Sequence, residues 1–208
     1  MVSAKNLEVA LKDSEARKLP LVVAFGMPDT KIENDVRKLT GEKGRIVFLA
    51  LGKDHPDARR FQRRYGRSAE GFILADEFGN LLKSDLAASS DVVEAVNSLD
   101  ELTAELFARW AAAIKQAKPL MEQKRFPEAA KVLQVFAFAF GSEKAREGKR
   151  LYDEVAAQAN QEYQALTRDL PAGNLSRDWA TKLSEFARKW PRTPAAFAAE
   201  DRLRELGK

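Results

Sequence analysis

The sequence predicts an α/β domain over residues 1–100, a central mixed β-sheet flanked by helices, followed by an all-α domain over residues 101–208. Three observations predict it. Two apolar runs of strand length, LPLVVAF and RIVFLALG, are separated by a segment with helical periodicity. A further stretch, GFILADEFGNLL, places turn residues between two apolar runs, which is the pattern of a hairpin. From Asp100 onward the composition turns alanine-rich and carries no strand signal.

Taken in order, residues 4–17 set Leu7, Val9, Ala10, Leu11 and Ala16 among charged neighbours, as in a short amphipathic helix ended by Leu19-Pro20. The strand Leu21–Phe25 comes next. A helix is expected from about Asp29 to Thr40, where Ile32, Val36 and Leu39 recur at helical spacing, with a stop at Gly41–Gly44. A second buried strand, Arg45–Leu51, should pair in parallel with the first, because strand, helix and strand at this spacing form a crossover. Asp57–Tyr65 reads as a helix stopped by Gly66. Phe72–Ala75 and Leu81–Leu82 read as hairpin strands around Asp76–Asn80, and Ser90–Leu99 as the closing helix. In the second half, two or three antiparallel helices are expected, with Pro119 and Pro127 as breakers or first-turn residues. A long helix over Glu143–Leu166, a loop at Pro171–Asn174 and two helices separated by Trp190–Pro194 complete the chain.

This order of elements resembles the thioredoxin fold, and local phrases carry the likeness. ALKDSEARKLPLVVAF is similar to the opening helix and strand of thioredoxin-like proteins, and ARRFQRRYGRSAEGFILADEFGNLL resembles their helix, Tyr-Gly turn and paired terminal strands joined by an Asp-x-x-Gly turn. In the second half, KRFPEAAKVLQVF resembles the turn and second helix of a tetratricopeptide repeat, and FARKWPRTPAAFAAEDRLREL the proline junctions of such repeats in bacterial envelope proteins. The spacing does not follow a regular 34-residue period, so the second domain is expected to be tetratricopeptide-like and the source bacterial.

Composition then limits the chemistry. The chain has no cysteine, which excludes disulfides, thiolate ligands and thiol redox catalysis. Where the resemblance implies a redox-active CxxC turn, the chain has Gly26, Met27, Pro28 and Asp29, and at about Ala69-Glu70-Gly71 it lacks the family's cis-proline. This degenerate turn is expected to serve as a helix cap through Asp29 or Thr30. The lone His55 lies beside Asp54 and Asp57, too close in sequence for spaced metal ligation, and reads as a turn residue. No catalytic residues, metal or cofactor are expected. The net charge of +4 arises in the second half, the first hundred residues being balanced. Both apolar runs are too short to span a bilayer, and the charged N-terminus lacks a signal-peptide pattern. The chain as written is expected in the cytoplasm, or in the periplasm or secreted if a leader has been removed.

The expected function is a redox-inactive interaction module or scaffold with another protein as partner. Arg60, Arg63 and Arg64 are the candidate orienting contacts and Phe136, Phe140, Trp179 and Trp190 the apolar anchors. The run VLQVFAFAF is too apolar for a surface helix, so it is either enclosed or presents an aromatic face. Two other classes stay open: an enzyme with a non-thiol site between the domains, and a polyanion or nucleic-acid binder through Arg59–Arg67, where arginines interleave with Phe61 and Tyr65. On a helix those two aromatics face the core, which leaves the arginines as a solvated rim.

Overall fold

A computed structural model describes residues 2–26, 46–66, 70–168 and 177–206. The helix expected over Asp29–Thr40, the turn residues Met27, Pro28 and Asp29, Arg67, Ala69 and the loop Pro171–Asn174 lie outside the described residues. By internal contacts the chain divides into two compact units, Met1–Ala108 with Ala139–Gly141, and Arg109–Phe138 with Ser142–Lys208.

The first unit is built on a mixed sheet. Its strands are β1 (Val2–Ser3), β2 (Leu21–Phe25), β3 (Val47–Leu51), β4 (Gly71–Ala75) and β5 (Leu81–Leu86), in the order β1-β3-β2-β4-β5. Strands β2 and β3 pair in parallel, Leu21 opposite Val47, and β4 runs antiparallel to β2 and β5. The apolar run of β2 is explained by its central place, since all five residues are buried on both faces of the sheet. Leu21, Val23 and Phe25 point to the same core as Leu49, Leu51 and Ile73. Helices α1 (Leu7–Arg17) and α2 (Ala58–Tyr65) complete this core through Leu7, Ala10, Phe61 and Tyr65, with the Phe61 ring stacked 4.7 Å from Phe25. Helix α3 (Ser89–Asn97) packs on β4 and β5.

Local chemistry sets these helix ends. The Asn6 side chain caps α1 by accepting from Val9 N–H at 2.9 Å, and Lys18 closes it in the left-handed region at φ 53°. The Leu19 N–H reaching back to the Ser14 carbonyl is the bond that requires this conformation. Asp91 accepts from the N–H groups of Ala87 and Ala88 at the start of α3, and these bonds hold its carboxyl below the ordinary value.

Helix α4 (Leu99–Glu122) carries the chain from the first unit into the second. Pro119 does not break it: the proline sits in the last turn, where only one ladder bond is lost. The helix closes at Lys124, φ 59°, with Arg125 N–H bonded to the Leu120 carbonyl. Pro127 lies in the first turn of α5 (Phe126–Leu133), as a residue without N–H can. A 3₁₀ turn at Gln134–Phe136 then redirects the apolar run.

The remaining helices are α6 (Glu143–Thr167), α7 (Arg177–Lys189) and α8 (Pro194–Leu206). Helix α6 packs against α5 and α8, and α7 pairs with α8. Phe136 lies fully buried against Trp110 and over Gly148 of α6, where a Cβ would overlap its ring. The Trp190–Pro194 junction is fixed by the buried Thr193, whose hydroxyl donates to the Trp190 carbonyl and accepts from Ala196 N–H. Tyr152 of α6 donates to the Arg192 carbonyl at 2.7 Å, and burial raises its phenol well above the ordinary value. Among the described residues no helix is long and apolar enough to cross a membrane.

Candidate functional site

The β4–β5 hairpin turn is held by a set of side-chain hydrogen bonds. Asp76 accepts from the N–H groups of Phe78 and Asn80 and from the Asn80 side-chain amide, at 2.7 to 2.9 Å. Gly79 takes φ 75°, and a Cβ there would meet Leu11 and Arg64. Arg64 of α2 donates to the carbonyls of Phe78 and Gly79, both at 3.1 Å through Nη2. Burial raises the Asp76 carboxyl, an effect only partly offset by its hydrogen bonds from Asn80 and Phe78.

Asn80 uses its remaining capacity on a residue sixty positions away. Its amide donates to the Phe140 carbonyl and its carbonyl oxygen accepts the Phe140 N–H, each at 3.0 Å. A side chain thereby pairs with a backbone as a neighbouring strand would. Gly141, at φ 95°, lets the chain pass the Phe78 ring, which meets the Phe140 ring edge-on at 6.3 Å. The Phe140 side chain nevertheless remains 59% exposed. It is the aromatic among the three large apolar residues that lie exposed within the described residues, the others being Val9 and Val135.

The other sequence-derived candidates are spread over both units. Arg60 is exposed and 3.9 Å from Glu8, whereas Arg63 and Arg64 are half-buried. Arg64 is committed to the hairpin carbonyls and to the Tyr65 ring. Gly26 ends β2 at φ 71°, with a Cβ position only 2.6 Å from Glu70, which pairs with Lys53 at 2.8 Å. His55 accepts from Asp57 N–H in a turn. In the second unit Phe136 is inaccessible, and the half-buried Trp179 lies under the Lys182 ammonium at 4.9 Å.

Trp190 is 3% exposed, and its indole N–H is buried without an acceptor. Its ring lines an open cavity of about 480 Å³ with Phe126, Pro127, Gln158 and Gln161. Lys124, Lys189 and Glu162 supply the charged part of the wall. Lys189 reaches both Glu162 oxygens at 2.8 Å, so these two charges compensate each other. A second cavity of about 410 Å³ shares Glu162 and Lys189 and adds Leu166 and Phe186.

Sequence reasoning missed Asn80 and Lys124. The Asp-x-x-Gly-Asn string announces a turn, but no local signal links Asn80 to Phe140. Among the described residues no group of acidic or histidine side chains could hold a metal ion. No protein-family model matches the chain, and no curated protein matches it in sequence.

Proposed function

We propose that this chain is a redox-inactive protein-interaction module, a thioredoxin-like domain joined to a tetratricopeptide-like helical domain. The alternation of parallel β2–β3 and antiparallel β2–β4–β5 pairing supports the thioredoxin-like reading. Absence of cysteine leaves such a domain no thiol chemistry.

The observation that carries the interaction reading is the presentation of Phe140. An exposed phenylalanine is ordinarily free to turn inward. Here its backbone is held on both sides by Asn80, and the ring stays in solvent. An aromatic on a fixed backbone has only two side-chain torsions to lose on binding and can bury a large apolar area, which is the profile of an interface anchor. The test is capture from native extract on the immobilised full chain, with nuclease, comparing wild type and Phe140→Asp. A specific protein retained by wild type and reduced at least about tenfold on the variant is expected, a change of the size seen for anchor residues. Equal capture by two variants of matching thermal stability would remove Phe140 as the anchor.

A further inference from the structure

We propose that Asp76 is a proton-controlled positioning residue for Phe140: its ionised carboxylate fixes the Asn80 amide in the orientation that pairs with the Phe140 backbone, and protonation releases that backbone. The proposal deepens the interaction reading and rests on it for its consequence at a partner, whereas the device itself lies in Asp76, Asn80 and Phe140. Asp76 and Asn80 are only 8% and 5% exposed, so bulk water does not replace the bonds between them. An ionised carboxylate can only accept. Asp76 Oδ1 takes the N–H groups of Phe78 and Asn80 at 2.9 and 2.7 Å, and Oδ2 takes the Asn80 side-chain amide at 2.7 Å. Asn80 Nδ2 must therefore face Asp76, where it also donates to the Phe140 carbonyl, and Oδ1 is left to accept the Phe140 N–H.

A proton on the carboxyl breaks this arrangement. Asp76 Oδ1 is filled by two backbone donors, so the proton goes to Oδ2, where it meets Asn80 Nδ2, donor against donor. Turning the Asn80 amide over restores a bond to Asp76. It also sets oxygen against the Phe140 carbonyl and nitrogen against the Phe140 N–H, so both bonds that hold the segment are lost. The direction with pH follows. Burial raises the carboxyl whether Phe140 is held or released, while the Asn80 side-chain bond lowers it only in the held form. The released form thus binds the proton more tightly, and the hold is complete at neutral pH and lost as pH falls through the window above 3.8. The charged and titratable neighbours are Glu77 on the same turn and, from α2, Arg64 and Tyr65. An arginine stays charged and a buried tyrosine neutral across this range, and Ala139–Gly141 brings no titratable side chain.

The test is amide hydrogen exchange of the ¹⁵N-labelled full chain from neutral to acid pH, with each rate expressed against its intrinsic value. Protection of the Phe140 N–H is expected to fall in step with titration of the Asp76 carboxyl carbon, while the amides of β2 keep theirs. Asp76→Asn keeps the shape but cannot take the ionised form. At neutral pH it should lose about tenfold or more of the Phe140 protection, the size of change set by a hydrogen bond to a charged group, and it should show no further response to acid. Where acid unfolds the wild type before Asp76 titrates, the variant at neutral pH decides. Flat protection at Phe140 while Asp76 titrates, or wild-type protection in Asp76→Asn, would each overturn the proposal. Equal loss at the β2 amides would also overturn it, by showing a general weakening in place of a local release. No partner enters these measurements, so their failure leaves the capture result standing, and equal capture by Phe140→Asp leaves the exchange result standing.

Discussion

Two buried residues show how single positions carry this fold. Gly148 lies inside a long helix, where alanine would be favoured by about 1 kcal/mol on propensity alone. The Phe136 ring occupies the space of the missing Cβ. Gly148→Ala is therefore expected to destabilise by about 1–3 kcal/mol, the cost of overpacking, as read from the urea midpoint. A stabilised variant would mean that Phe136 does not pack there. Asp76 makes the opposite kind of demand, because its carboxyl is held above the usual 3.8 by burial. The folded state then keeps a proton that the unfolded state has already released, so this group lowers stability as pH rises through the window above 3.8. Its favourable contribution is complete below that window. Replacing Asp76 with Asn should make the stability difference, variant minus wild type, increase from acid toward neutral pH in denaturant titrations. A constant difference across that range would contradict the raised value.

At the scale of elements, helix α2 and the β4–β5 hairpin form one clamped unit through Arg64. Truncating Arg64 to alanine leaves the Phe78 and Gly79 carbonyls without their donors and is expected to cost about 1–3 kcal/mol. Amide exchange in the hairpin should speed up in parallel; unchanged exchange would show that the turn stands by itself. Tyr152 joins α6 to the α7–α8 junction by one bond to the Arg192 carbonyl. Tyr152→Phe should lose about 1 kcal/mol in thermal or urea unfolding. Several element positions in the first unit were legible because they rest on local signals, whereas the two-residue strand β1, which exists only by pairing with β3, was not. The β2 apolar run, the Gly66 stop and the Asp76–Asn80 turn are all readable within a few residues. The run after Leu133 was not legible, since the shift from α5 to a 3₁₀ turn sends Phe136 inward and leaves Phe140 exposed. Its direction depends on Gly148 and Asn80, which are remote in sequence.

For the whole molecule the net charge of +4 is a modest excess. Arg64 is spent on the hairpin and Arg60 lies 3.9 Å from Glu8, so two arginines of the run already have partners within the first unit. Retention on a polyanion column should accordingly be weak and abolished by modest salt, with Arg60→Glu changing it little. Strong retention that collapses in that variant would restore the polyanion reading.

The sequence by itself determined the α/β-then-helical order, the absence of thiol chemistry and the places of β2, α1, α2 and the β4–β5 turn in the first unit. These depend on periodicity, turn residues and composition, which act over short distances along the chain. Tertiary structure alone decided which phenylalanine of the run after Leu133 is spent in the core and which stays in solvent. Phe136 and Phe140 are four residues apart and chemically identical, and their fates differ because one meets a glycine on another helix while the other is held by an asparagine sixty residues earlier. The same holds for Lys124 and Trp190, whose shared cavity exists only once α5, α6 and the end of α7 have come together.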